Sequence, residues 1–174
     1  MRPPVTAERV RRFMEVLGRE SRQAARVWLV GGASAVLVGW RVSTIDIDLK
    51  IVPDVEAGRT LPAVKADLDV NVELASPDQF LPPLPGWEER SVPIGREGPI
   101  MFFHYDFVAQ ALAKVERGFA RDLEDVREMV RRGLVVPAEA LRLHAAIEPE
   151  LGRYPALDPA TLRRAVRDAF GSGR

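Results

Sequence analysis

The stretch from Val27 to Leu49 constrains the fold more than any other part of the chain. Val27-Trp28-Leu29-Val30 is a short apolar run of the kind that forms a buried strand, and it closes on Gly31-Gly32-Ala33-Ser34, where a helix can begin. After that short helical stretch comes Thr44-Ile45-Asp46-Ile47-Asp48-Leu49. Alternate residues of a strand point the same way, so Asp46 and Asp48 share one face while Ile45, Ile47 and Leu49 fill the other. Neighbouring carboxylates stay ionised cheaply only beside a counter-charge, and a hard divalent cation such as Mg²⁺ meets that need. The two glycines, lacking β-carbons, let backbone N–H groups approach a phosphate, and the helix starting there aims its positive end at the same point. Taken singly, an Asp-Ile-Asp strand or a Gly-Gly turn is also ordinary structure. Their spacing is what joins a phosphate cradle and a metal pair in one site.

The 174 residues, 47% of them apolar, suffice for one substantial core, or a core with a small helical appendage. Lys+Arg and Asp+Glu balance at 25 each, so no whole-molecule field draws the chain to nucleic acid or an anionic membrane, and polymer binding would need a local patch. The absence of cysteine excludes disulfides, thiolate nucleophiles and cysteine zinc sites. His104 and His144 are too few and too far apart for a histidine metal cluster; both read as packed, structural residues. Oxygen ligation is the metal chemistry left. Met1-Arg2-Pro3-Pro4 lacks the apolar core of a signal peptide, and the apolar runs are far short of a bilayer span, which predicts a cytoplasmic protein without a membrane segment.

Along the chain, Thr6 can cap a first helix that gathers Val10, Phe13, Met14 and Leu17 on one face. Val27 to Val30 predicts a strand, Ser34 to Trp40 a short buried helix, Ile45 to Val52 a second strand, and Pro62 to about Asp67 another helix. Leu68 to Leu74 alternates apolar and polar, as a half-buried strand does, with Asp69, Asn71 and Glu73 on its polar face. The proline-rich segment Ser76 to Gly86 excludes a long helix or central strand. Its apolar residues Phe80, Leu81 and Leu84 suit either a cover over the site or a homodimer contact. Trp87 to Pro93 and Pro99 to Tyr105 predict a strand pair turning through Gly95-Arg96-Glu97-Gly98, and Asp106 opens a run of helices. The expectation is an α/β (α+β) protein. A small mixed sheet of about four or five strands, flanked by helices, occupies residues 1–105, and a helical carboxy-terminal region, 106–174, packs on that core.

These residues resemble the nucleotidyltransferase superfamily of the polymerase-beta-like fold: a Gly-Gly turn opening a helix, an Asp-hydrophobic-Asp strand, and a third carboxylate on a neighbouring strand. The whole chain resembles more closely still a bacterial branch of uncharacterised nucleotidyltransferases related to abortive-infection toxins of toxin–antitoxin pairs. The resemblance runs from about Val27 to Leu134. Asn71-Val72-Glu73-Leu74-Ala75-Ser76-Pro77, His104-Tyr105-Asp106 and Lys114-Val115-Glu116-Arg117-Gly118 carry it, with Asp122 and Asp125 after them.

The resemblance implies a two-metal Mg²⁺ site and a nucleoside triphosphate such as ATP as co-substrate, with in-line displacement at the α-phosphate and pyrophosphate leaving. By position, Asp46 and Asp48 are the metal pair and Glu73 the third ligand, with Asp69 its rival. Gly31, Gly32 and Ser34 would contact phosphate, the serine through its hydroxyl. Lys114 and Arg117 are the implied cations for the triphosphate, although ion pairs with Asp122 and Asp125 between helices explain them equally. The acceptor stays open among a tRNA end, a protein side chain and a small molecule. A toxin branch implies an antitoxin partner, and the contrasting reading is an inactive nucleotide-binding or protein-interaction module of the same fold.

Overall fold

The computed structural model describes residues 1–171, and the chain divides into two compact units. The first comprises Met1–Ser76 and Ser91–Tyr105; the second comprises Pro77–Arg90 and the chain from Asp106 onward.

In the first unit, β1 (Val5–Thr6) leads into α1 (Ala7–Glu20), whose start is fixed by the Thr6 hydroxyl accepting from the Arg9 amide at 3.4 Å. Val10, Phe13, Met14 and Leu17 are all buried, the stripe that their spacing requires. Next come β2 (Ala25–Val30), α2 (Gly32–Val38), β3 (Ser43–Thr44), β4 (Asp46–Val52), α3 (Val55–Arg59), α4 (Leu61–Leu68) and β5 (Asn71–Leu74). The unit closes with the hairpin of β6 (Val92–Glu97) and β7 (Ile100–His104). Five strands form a mixed sheet in the order β5-β4-β2-β7-β6, with β2 antiparallel to β4 and parallel to β7, and β4 parallel to β5. β1 and β3 make a separate two-stranded ladder.

One face of the large sheet builds the core. Val27, Leu29, Ile47, Leu49, Val72, Ile100 and Phe102 are buried there together with Phe13 and Leu17 of α1 and Val36 of α2. Each such side chain contributes about 1.5–3 kcal/mol on leaving water. Strict alternation sends the intervening residues, Asp46 and Asp48 of β4 and Asn71 and Glu73 of β5, to the other face.

The second unit is helical. It contains a 3-10 turn (Pro77–Gln79), α5 (Trp87–Arg90), α6 (Phe107–Arg117), α7 (Ala120–Arg131), α8 (Pro137–Ile147) and α9 (Pro159–Phe170). Asp106 caps α6 by accepting from the Val108 amide at 3.1 Å, and its other oxygen takes the Arg90 guanidinium at 2.7 Å. α6 packs against α7, α8 and α9. Among the described residues, no helix is long and apolar enough to cross a membrane.

The mixed α/β class and the helical carboxy-terminal region agree with the sequence expectation. Three local expectations are corrected. The strand foreseen from Leu68 begins only at Asn71, because Leu68 ends α4 and Asp69 caps it at φ 49 and ψ 48, a left-handed setting that aspartate tolerates. The strand foreseen from Trp87 begins only at Val92, since Trp87–Arg90 coils into a helical turn. Leu81 and Leu84 are buried, so of the three apolar residues expected to offer a cover or a homodimer contact only Phe80 is exposed.

Candidate functional site

The carboxylates stand where two parallel strands align. Asp46 of β4 is in register with Asn71 of β5, and Asp48 with Glu73. Asn71 ties the set together: its amide nitrogen donates to Asp46 Oδ1 at 2.8 Å and to Glu73 Oε1 at 3.1 Å. A neutral amide donor between two acids steadies them without cancelling their charge. Asp46 and Asp48 are half-buried, whereas Glu73 is exposed. Asp69 lies off this face, at the end of α4, where its Oδ1 accepts from Arg2 Nε at 3.2 Å.

On β2, the partner of Asp48 is Val30, the last strand residue before the turn. Gly31 follows at φ 60 and ψ −124, a conformation closed to side-chain-bearing residues, and its place for a β-carbon lies 3.5 Å from Asp48 Oδ2. Gly32 has a different reason to be glycine: a β-carbon there would fall 2.0 Å from Thr44 Oγ1, so a side chain would displace β3. The turn thus sets the amino end of α2 against one carboxylate of the pair.

Ser34, in the first turn of α2, is wholly buried. Its hydroxyl, expected to face a phosphate, donates to the Leu29 carbonyl at 3.1 Å and lies 3.0 Å from His104 Nδ1. His104 is the packed, hydrogen-bonded residue anticipated from its apolar neighbours, and burial pushes its pKa down to about 4.

Among the described residues, no group of three or more histidines, cysteines, aspartates or glutamates forms a ready-made metal cage. The oxygen donors gathered on the sheet face, carboxylates and the Asn71 amide, suit a hard cation and not one that seeks thiolate or imidazole. Mg²⁺ in particular takes one or two carboxylates and completes its shell with water and substrate phosphates. Asp46 and Asp48, two apart on β4 and on one face, are the residues here that could supply such carboxylates.

Lys114 and Arg117 lie in the second unit, in an ion network of their own. The Lys114 ammonium is buried, 2.8 Å from Asp125 Oδ2 and 3.4 Å from Asp122 Oδ1. Arg117 grips Asp122 through Nε at 3.2 Å and Nη2 at 2.5 Å, with its side chain 53% exposed.

Sequence reasoning put Asn71 on the polar face but gave it no role, because an amide matches no ligand pattern. The Ser34–His104 pair, 70 residues apart, carried no local signal at all.

A family described as nucleotidyltransferase of unknown function (DUF6036) matches residues 8–137, a span that contains the Gly31–Gly32 turn, the carboxylate strands and the Lys114–Asp125 network. No curated protein and no solved structure matches the chain. The chain belongs to this nucleotidyltransferase family.

Proposed function

We propose that this nucleotidyltransferase moves a nucleoside monophosphate from a nucleoside triphosphate to an acceptor hydroxyl, with Asp46, Asp48 and Glu73 as ligands of Mg²⁺ and the Gly31–Gly32 turn as the phosphate cradle. The observation that carries this reading is that the place a β-carbon would take on Gly31 lies 3.5 Å from Asp48 Oδ2. A phosphate seated on the N–H groups of that turn lies beside a carboxylate of the pair, which is where a triphosphate and its cation must meet.

Mg²⁺ bound there would neutralise the triphosphate and lower the pKa of the acceptor hydroxyl. The residues hold and orient. Asn71 keeps Asp46 and Glu73 on one side of the sheet, the backbone of the turn binds phosphate oxygens, and Asp48 stands between cradle and β5. In the transfer, the acceptor oxygen bonds to the α-phosphorus as the bond to the pyrophosphate oxygen breaks, and the hydroxyl proton passes to a carboxylate oxygen of the site. An RNA end, a protein side chain and a small molecule all satisfy the acceptor chemistry. A toxin role is the narrower form of this reading, and adds an antitoxin protein that restrains the transfer.

Thermal unfolding with each of the four ribonucleoside triphosphates, with and without Mg²⁺, tests the reading on the native chain and on Asp48→Asn. Filling the site to about a hundred times its dissociation constant adds about 2.7 kcal/mol, a shift of a few degrees at this size. The expected result is a shift that needs both Mg²⁺ and Asp48. Identical shifts in Asp48→Asn, or none with any triphosphate, would refute it.

A further inference from the structure

We propose that His104 is a positioning residue for the nucleotide site: acting through Ser34, it holds the Gly31–Gly32 turn in the conformation that sets its N–H groups beside Asp48. This rests on the reading of that turn as the phosphate cradle.

Two consecutive glycines are the least restrained pair a chain can contain, so a cradle built on them keeps a single conformation only if neighbouring residues pin it. The pin is on the buried side. His104, at the end of β7, is in register with Leu29 of β2. The Leu29 carbonyl receives two hydrogen bonds, one from the Tyr105 amide at 2.9 Å and one from the Ser34 hydroxyl at 3.1 Å. A hydroxyl has one proton; with that proton on Leu29 O, Ser34 Oγ accepts from His104, which places the imidazole proton on Nδ1 at 3.0 Å. The ends of β2 and β7 and the first turn of α2 are therefore joined at one carbonyl. Gly31 O, on the far side of the same turn, accepts from the Ala35 amide at 3.0 Å, so the residue after Ser34 anchors the glycine itself. Ser34 is 0% exposed and His104 9%, so water does not replace these bonds cheaply. Burial also keeps the imidazole neutral, and a neutral donor adds no positive charge beneath the cradle.

Three variants test the assignment: His104→Leu, Ser34→Ala and His104→Asn, the last restoring an N–H near the position of Nδ1. Two readouts are used: amide hydrogen exchange of residues 31–35 in the nucleotide-free protein, and titration with each of the four ribonucleoside triphosphates in Mg²⁺. His104→Leu and Ser34→Ala should each speed exchange at 31–35 relative to Val27 and Phe102, and weaken triphosphate binding about tenfold, the scale of one buried hydrogen bond. The double variant should bind no more weakly than either single one, and His104→Asn should regain most of both losses. Native-like binding and exchange in Ser34→Ala overturn the proposal, as do equal defects in His104→Asn and His104→Leu, or exchange that rises uniformly across the sheet. Should His104→Leu fail to fold, Ser34→Ala alone decides. If the native chain binds no triphosphate, the functional reading fails by itself, and exchange at 31–35 still shows whether the pin holds the turn.

Discussion

Asp48 and Gly31 meet across the turn between β2 and α2, with only 3.5 Å between the carboxylate Oδ2 and the position of a β-carbon on the glycine. Gly31→Ala therefore acts twice. Its φ of 60 and ψ of −124 cost a residue with a side chain about 1–3 kcal/mol, and the new methyl group enters the space between carboxylate and cradle. We expect a lower melting midpoint together with loss of the Mg²⁺-triphosphate shift. Gly32→Ala, whose methyl would sit 2.0 Å from Thr44 Oγ1, should lose more stability, because β3 has to move. A Gly31→Ala protein that melts and binds like the native chain would remove the turn from the site.

Asn71 offers a sharper probe of the carboxylates. Asn71→Asp turns the donor that bridges Asp46 and Glu73 into another acid, so the charged forms repel where they were held. Transfer should fall, and the acid limb of its pH profile should move to higher pH, since a crowded carboxylate holds its proton more tightly. Pyrophosphate release followed across pH, with native chain and variant side by side, checks this; superimposable profiles would show that Asn71 is not part of the set.

The face that carries these residues was legible because β4 and β5 are regular: period-2 alternation alone puts Asp46, Asp48, Asn71 and Glu73 on one side. Asp69 was misplaced by the same logic. The alternation of Leu68-Asp69-Val70 continues by chance across a helix end, and a left-handed cap leaves no mark on hydropathy. Trp87 to Arg90 misled in the other direction, since Glu88, Glu89 and Arg90 favour a helical turn over the strand that Trp87 suggested. The ladder of β1 and β3 is two residues long on each side, too short for periodicity to reveal. The bond between Ser34 and His104 spans 70 residues and exists only once β7 lies beside β2.

Lys114 separates two roles that its sequence position left together. Its ammonium lies between Asp122 and Asp125, whose side chains are 5% and 4% exposed. Lys114→Met takes the ammonium from between those buried carboxylates, with Arg117 still on Asp122, and should cost about 3–5 kcal/mol, whereas Arg117→Gln, which removes a half-exposed guanidinium, should cost about 0–1 kcal/mol. Melting in the absence of nucleotide measures both. A Lys114→Met protein that melts normally but no longer responds to Mg²⁺-triphosphate would assign the lysine to nucleotide binding instead of to the helical unit.

His104 also makes a prediction about acid. Its pKa is about 4 in the folded chain, against 6.5 for a free imidazole, because burial opposes the charge. As pH drops below 6.5 the unfolded chain takes up a proton that the folded chain refuses until about pH 4. The contribution is thus complete above pH 6.5 and is lost on the way down to pH 4, by roughly 3 kcal/mol at most. His144, whose pKa burial also pushes down, loses stability in the same direction, while Glu56, whose burial raises its pKa but which bonds from Thr60, Arg22 and Gln23 and the charge of Arg59 together hold below the usual carboxylate range, acts only at lower pH. Replacing His104 by Asn removes the titrating group and keeps a donor for Ser34. The urea-unfolding free energy of His104→Asn should therefore fall less than that of the native chain between pH 7 and pH 5, retaining only the slope due to His144. Parallel slopes would mean that the imidazole charges freely in the folded protein, and a charged imidazole requires water beneath the turn, where the structure has Ser34 sealed at 0% exposure.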